Sequence, residues 1–485
     1  MDFSTRVPVS WKICGRVAAL LLLFLICTSC GDEFRPVAIP ESPPPPDPDS
    51  LHYALVLSNN GNNEAGASMR IDVSGDSDVA HSTLGIGPVH AVIVPNGART
   101  YAANRAENTI STYPSSSPTT VSTISLPAGS SPTFLATTDN NSVYVASSGT
   151  GMVDVITTVT NVVTVQIPVG LNPIAMVETP DVVPPISTAK KVYVANQGDG
   201  TLSIIDAASQ AVGNTICAVP VQPCPGNNSP VWLLARTDSA RVYALNSAAG
   251  LVSVIDTASD TIVSSVSVGA GANYMVYDAR ANHLYVVNPA ANTVAAIDVS
   301  VDPTAPLYTV NVAPSPLAVA VLPDSSRFYV ASDACSNGAI SSCAASGGTA
   351  TSQLSVFSTS DGRLRSVIAL GTVATDPVNP TGCDGARFRV FAAAAADSSR
   401  VYVSNCDGGF TDIVLTATDT LLQGQQFQVT NTNPMTCELV TAPAPLPSPL
   451  SVFPPSVNTC EITQNQQFFF LVPPAQNPVF ILPSP

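Results

Sequence analysis

The chain has 485 residues, more than one small core requires and enough for about three domains or one large repeat array. Charged residues make up 11% of it and hydrophobic ones 45%, with 43 prolines and 29 glycines, which excludes a coiled coil and a wholly disordered chain. Acidic residues outnumber basic ones 34 to 18 for a net charge of −16, so the clustered cations that phosphate contacts need are missing and no nucleic-acid partner is expected.

Arg6, Lys12 and Arg16 precede a 13-residue uncharged run, Val17 to Ser29, built on Leu20-Leu21-Leu22-Leu23-Phe24-Leu25-Ile26. The run is short for a membrane span and fits the apolar region of an export signal. Thr28 and Ser29 then lead into Cys30. This resembles a bacterial lipoprotein signal, with residues 1–29 as the leader and Cys30 as the lipid attachment site, although Cys27 stands where leucine is usual. An ordinary signal peptide cut near Ser29 is the alternative, and a Cys27/Cys30 redox pair a third. Loss of residues 1–29 would leave 15 basic and 33 acidic residues, a net charge of −18. Residues 30–50 carry the anchor and a tether with Pro43-Pro44-Pro45-Pro46 and Pro48, a composition that favours extended polyproline conformation and acts as a semi-rigid spacer. Gly31 and Asp32 after the cysteine resemble lipoproteins not retained at the inner membrane, so the expected location is the outer membrane or the cell surface.

From residue 51 onward one phrase recurs: an aromatic among β-branched residues, a small or amide residue, a turn, then a second strand ending in aspartate. It reads Val192-Tyr193-Val194-Ala195-Asn196 followed by Leu202-Ser203-Ile204-Ile205-Asp206, and returns as Val242-Tyr243-Ala244-Leu245-Asn246 with Val252-Ser253-Val254-Ile255-Asp256. The aromatic falls at Tyr53, Tyr101, Tyr144, Tyr193, Tyr243, Tyr285, Tyr329 and Tyr402, at intervals of 42 to 50 residues with one of 73. Such intervals fit four short strands and their turns. Alternating or short continuous apolar runs bounded by Gly, Pro, Asn and Ser are strand signals, and proline at this density breaks helices.

These residues resemble the YVTN-type β-propeller repeat, related to WD40 and quinoprotein-dehydrogenase propellers, over residues 51–430. The expected fold is therefore all-β: a propeller of four-stranded blades, eight by the repeat count, with seven, the commoner number in the family, left open by the long interval before Tyr402. Each unit divides into strands A to D, and strand A begins near a proline, as at Pro88, Pro132, Pro173, Pro230 and Pro316. The first copy starts at strand B. Residues 475–485 supply the missing piece, because Asn477-Pro478-Val479-Phe480-Ile481-Leu482 reads like Asn172-Pro173-Ile174-Ala175-Met176-Val177. The tail is expected to become strand A of the first blade and close the ring. Residues 431–474 fit no blade and read as an insertion or a small β appendage.

Outside the leader region stand eight cysteines: Cys217, Cys224, Cys335, Cys343, Cys383, Cys406, Cys437 and Cys460. An even count in an exported chain suggests disulfides. Pairing by nearness joins Cys217 to Cys224, Cys335 to Cys343, Cys383 to Cys406 and Cys437 to Cys460, among many possible connectivities. In a propeller the D-to-A and B-to-C connections share one face, and all eight cysteines map to it. That face would carry long stapled loops on a rigid scaffold, where binding usually resides; staples that only protect insertions from proteolysis are the plainer alternative.

The sequence contains no HExxH, no GxSxG, no phosphate loop with GKS or GKT and no CxxCH haem attachment, so no catalytic, cofactor or metal residue is assigned. His90 lies in a strand A and reads as filler. Gly75-Asp76-Ser77-Asp78 and Asp199 read as turns rather than calcium loops, and Asp206, Asp256 and Asp298 as turn-fixing groups. Trp11 and Trp232 cannot by themselves form a tryptophan-derived quinone as in related dehydrogenases, whose paired tryptophans lie on a partner chain. The expected function is that of a monomeric envelope lipoprotein, held to a membrane by its lipid, whose propeller binds or scaffolds a protein, glycan or small molecule without a cofactor. The alternative is a periplasmic propeller enzyme, a lactonase-like hydrolase or an oxidoreductase, with its site at the channel mouth.

Overall fold

The computed structural model describes residues 53–422 and 478–483 apart from short breaks at 61–63, 74–76, 116–119, 181–189, 222–223, 225–228, 337–347, 375–382, 384–387 and 407–408, together with the backbone of four short strands between 426 and 470. The leader, Cys30 and the proline tether lie outside these residues. All described elements are β-strands.

Eight antiparallel sheets form an eight-bladed propeller. Blades 2 to 8 each use consecutive strands from their innermost to their outermost: 88–125, 132–168, 173–217, 230–267, 274–311, 316–374 and 390–421. Blade 1 takes its inner strand from the other end of the chain. Pro478–Pro483 pairs antiparallel with Tyr53–Ser58, Leu57 opposite Phe480 and Val56 opposite Ile481, and the strands Ala65–Asp72 and Ser77–Ile86 complete the sheet. Ring closure by the tail is thus a matter of backbone pairing. Val479, Phe480 and Ile481 are buried in the process.

The repeated tyrosine is both core and tie. Tyr101, Tyr144, Tyr193, Tyr243, Tyr285, Tyr329 and Tyr402 are all buried in the second strands of blades 2 to 8. In three blades the hydroxyl reaches the next blade, donating to Asn161 Oδ1 from Tyr101 at 2.7 Å, to Asp260 Oδ1 from Tyr193 at 2.6 Å, and to Asp419 Oδ1 from Tyr329 at 2.6 Å. The three acceptors share a left-handed conformation, with φ of 55°, 54° and 53°, in the turn before an outer strand. Asn and Asp tolerate that region, and the turn aims their oxygens back at the preceding blade. Lys191 adds two bonds to Asp260, at 2.8 and 2.7 Å.

Blade 1 departs from the sequence reading. Its inner pairing aligns Ser58 with Pro478 as Asn196 aligns with Pro173, which puts Leu55 in the register of Tyr193 and Tyr53 in that of Lys191. Tyr53 is therefore not the first repeat tyrosine. Its ring instead lies under the Arg70 guanidinium, 4.3 Å from the ring centroid.

Blade 8 is irregular on its outer edge. Thr420–Leu421 pairs only with Val414 and Leu415, and Phe469–Phe470 pairs with Phe410 and Thr411 of the same strand. Between these two pieces the chain leaves the blade and forms a three-stranded sheet from Gln426–Thr430, Thr436–Val440 and Val457–Thr459.

Closure by six residues makes the ring vulnerable at that point. Deleting residues 475–485 is expected to replace one cooperative thermal transition with a broad one and to open blade 1 to proteolysis. Phe480→Ala in the full chain is expected to cost about 3–5 kcal/mol in urea unfolding.

Candidate functional site

The inner strands define the axis. In blades 2, 3, 4, 5 and 7 the first residue is a proline, and a register shift follows it, so that one residue bulges before the next pairs. The residue after the bulge, with its register equivalents in blades 6 and 8, which have no bulge, occupies one place around the ring: Phe480, His90, Phe134, Ala175, Trp232, Tyr274, Ala318 and Phe391 in blades 1 to 8. Six are rings and they touch in a closed cycle. Successive centroid distances are 3.9 Å for His90–Phe134, 5.3 Å for Phe134–Trp232, 4.8 Å for Trp232–Tyr274, 5.8 Å for Tyr274–Phe391, 4.8 Å for Phe391–Phe480 and 4.8 Å for Phe480–His90. The two alanines sit where the cycle skips a blade, and their small side chains let the large neighbours meet.

All six rings are between 4% and 8% exposed, so the axis is filled at this level. Such contacts contribute about 0.5–1.5 kcal/mol each beyond area burial. Phe388 adds a further ring, 5.2 Å from Tyr274 and 6.1 Å from Trp232. His90 is the layer's imidazole; it stacks on Phe134, and its Nδ1 accepts the Leu135 amide at 3.3 Å. It is a packed ring whose Nδ1 lone pair is already engaged.

The disulfides lie on one face. Cys217 ends the outer strand of blade 4 and is bonded to Cys224 in the connection to blade 5, with Cα atoms 5.1 Å apart. Cys383 precedes the inner strand of blade 8 and is bonded to Cys406 just after the second strand, with Cα atoms 5.7 Å apart. Cys335 ends the second strand of blade 7 and is also disulfide-bonded. These positions belong to the D-to-A and B-to-C connections. Cys343 and Cys460 lie outside the described residues, and of Cys437 only the backbone is described. Each staple reduces the conformational freedom of the unfolded chain, an effect of roughly 2–4 kcal/mol in typical cases.

Beside this staple, the seam between blades 7 and 8 holds buried polar groups. Asn405 donates from Nδ2 to Ser352 Oγ at 3.0 Å, and Ser352 donates to Asp333 Oδ1 at 2.9 Å. Asp412 stands opposite Val403 in the third strand of blade 8, is 2% exposed, and its Oδ2 has no hydrogen-bond partner. Burial pushes its carboxyl well above the usual range. Blade 3 shows what a satisfied acid at this register looks like. Asp154 there receives Ser147 Oγ at 2.5 Å and Gln166 Nε2 at 2.6 Å, the latter from the directly opposed outer strand. In blade 8 the described outer-edge pieces, Thr420–Leu421 and Phe469–Phe470, pair with Val414–Leu415 and Phe410–Thr411, so neither stands opposite Asp412.

The other acids singled out by sequence are structural where they are described. Asp199 accepts the Leu171 amide at 2.9 Å and the Thr201 hydroxyl at 2.6 Å. Asp206, Asp256 and Asp298 accept amides of the following turn. Asp76 lies outside the described residues, as does the side chain of Asp78. Sequence reasoning missed the axial layer, although Pro-x-aromatic recurs at Pro88, Pro132, Pro230 and Pro478. It also missed Asp412, whose burial depends on how the strands of blades 7 and 8 pack.

No family model and no curated protein matches the chain. Solved structures with similar folds include Kuenenia stuttgartiensis hydrazine synthase, at 17% identity with a TM-score of 0.46 over 69% of this chain and 96% of that one. A putative 6-phosphogluconolactonase from Bacteroides fragilis gives 11% identity and a TM-score of 0.46 over 78% of this chain and 94% of that one. The β-propeller domain of Myceliophteria thermophila Cps50 (Swd1) gives 9% identity and a TM-score of 0.46 over 66% and 93%.

The elevated Asp412 pKa links stability to pH. The carboxyl holds its proton in the folded protein at pH values where the unfolded chain has released it. Its contribution is therefore fully present below about pH 4 and is lost as pH rises through the folded value. In metal-free buffer, Asp412→Asn is expected to raise the melting temperature at pH 7.5 and to flatten its decline between pH 4 and 8, measured by thermal unfolding of both proteins.

Proposed function

We propose that this protein is an exported, lipid-anchored β-propeller of the YVTN type that binds or scaffolds a partner in the cell envelope through its disulfide-bonded face. The single observation that carries the reading is the placement of the described disulfides in D-to-A and B-to-C connections of a ring whose axis is closed by aromatic packing. A filled axis favours a face over a funnel as the place of contact. Rigid sheets with covalently restrained loops keep a surface in one conformation before binding, which lowers the ordering cost of association. The lipid on Cys30 and the proline-rich tether would hold that face away from a membrane, at the outer membrane or the cell surface.

Two measurements test this. Cys30→Ser should abolish incorporation of labelled fatty acid and move the protein from the membrane to the soluble fraction. The tethered protein, presented to envelope extracts and glycan arrays, should retain a partner that is lost on reduction while the propeller remains folded. Retention of no partner in either state would overturn the binding role.

A further inference from the structure

We propose that the outer edge of blade 3 is a self-association surface, where the strand Val162–Pro168 pairs edge to edge with the same strand of a second copy of this chain. The association does not rest on the partner-binding reading above, and it takes the place of the monomer expected from the sequence.

Charge is the first reason. Between Glu107 and Glu178 the chain carries two charged residues, Asp139 and Asp154, although 11% of all its residues are charged. Neither lies on the outer edge. Asp154 is buried and hydrogen-bonded in the third strand of blade 3, and Asp139, in the turn between the inner and second strands, is paired with Lys190 at 3.0 Å. The outer flank of blades 2 and 3 is therefore free of charge. A net charge of −16 makes two copies repel one another wherever acids face each other, so a charge-free flank is where they approach at least cost.

Within that flank blade 3 offers the longer edge. Its outer strand runs seven residues, against four for Ser122–Ser125 in blade 2. One side of it is bonded to Met152–Thr157, and among the described residues the other side pairs with no strand. Exposed strand edges are normally guarded by charge. Blades 4, 5 and 6 enter their outer strands after Asp206, Asp256 and Asp298, blade 1 has Asp78 and His81 within the strand, and blade 7 has Arg365. In blade 3 the place of those three aspartates is held by Thr157, and no charged residue follows before Glu178. The edge is instead apolar where it meets water: Val159 in the preceding turn is 82% exposed and Val162 49%. Toward blade 2 the strand borders an open groove of about 480 Å³, lined by Ser125, Leu126 and Pro127 and by Val163 to Gln166. The groove keeps blade 2 clear of the edge, so an incoming strand has room there and finds Leu126, Val163 and Val165 beneath it.

These properties select the occupant. The edge fits an extended, uncharged strand that has a free side of its own and β-branched side chains to cover Val162. The outer strand of blade 3 in another copy is such a strand. Two copies related by a two-fold axis through the middle of the strand would meet antiparallel, with the same residues serving on both sides. The chain already joins strands in this way internally, where the uncharged Pro478–Pro483 adds to the edge of Tyr53–Ser58.

The test uses the full chain, first in cells and then purified in a density-matched detergent. A photo-crosslinking residue in place of Thr164, midway along the strand, should join two copies into a species of twice the mass. The same residue in place of Val263, the register equivalent in blade 5, should not. Sedimentation equilibrium should show a concentration-dependent dimer. Val162→Glu brings like charges into the pairing and should weaken dimerisation roughly tenfold, with an unchanged melting temperature because the side chain is half exposed. Val263→Glu should dimerise as the wild type does. A chain that stays monomeric at every concentration would overturn the proposal. So would cross-linking from position 164 to a different protein alone, equal cross-linking from both positions, or dimerisation indifferent to Val162→Glu.

Discussion

Closure of the ring by a strand from the far end of the chain is the constraint on which the rest depends. Every blade packs one face on the blade before it and the other on the blade after it, so an open ring would leave two faces of buried Val, Ile and Tyr in water and a long unpaired edge. Pairing of Pro478–Pro483 with Tyr53–Ser58 removes both costs at once. The same strand brings Phe480 between His90 and Phe391, so the aromatic cycle at the axis is complete only when the tail is in place.

Two kinds of contact then make eight similar sheets into one body. Near the axis, rings of six blades touch in a single layer, and the alanines of blades 4 and 7 are where that layer has room for large neighbours. Farther out, tyrosine hydroxyls of one blade bond the left-handed turn residue of the next, at the blade 2–3, 4–5 and 7–8 seams. Asparagine at the end of the second strand plays a parallel part inside the blade, as where Asn196 donates to Thr201 and Ser203. The repeat is therefore more than a packing motif. In blades 2, 4 and 7 its tyrosine, and in blades 2, 4 and 5 its asparagine, are hydrogen-bonding groups whose partners are supplied by neighbouring strands and blades.

Blade 8 is where this regularity is relaxed. Its described outer edge is two short pieces, Cys406 just after its second strand is disulfide-bonded, and it places an acid where blades 2, 4, 5 and 7 have serine. A disulfide-restrained face and an underused buried carboxyl thus fall on the same part of the ring. Both draw on one property of a closed scaffold: residues far apart in the chain are held still beside one another, so an unfavourable group can be maintained by the stability of the remainder.

Much of the architecture was legible from local pattern. Strand periodicity, proline at the strand starts and the recurrence of Tyr-Val-Ala-Asn phrases encode blades, because alternating burial leaves a period of two in any sequence. The similarity of residues 477–482 to residues 172–177 was enough to identify the closing strand, since equivalent places in a ring impose equivalent side chains. The even set of cysteines after residue 30 is likewise plain in the sequence. Register across the chain was beyond it. Tyr53 looked like a repeat tyrosine, yet pairing with Pro478–Pro483 shows that Leu55 fills that place. The aromatic layer joins residues from six blades, and the burial of Asp412 depends on the packing of strands that are not its neighbours in the chain. Such facts arise from which strands meet, a property of the closed ring that no stretch of neighbouring residues contains.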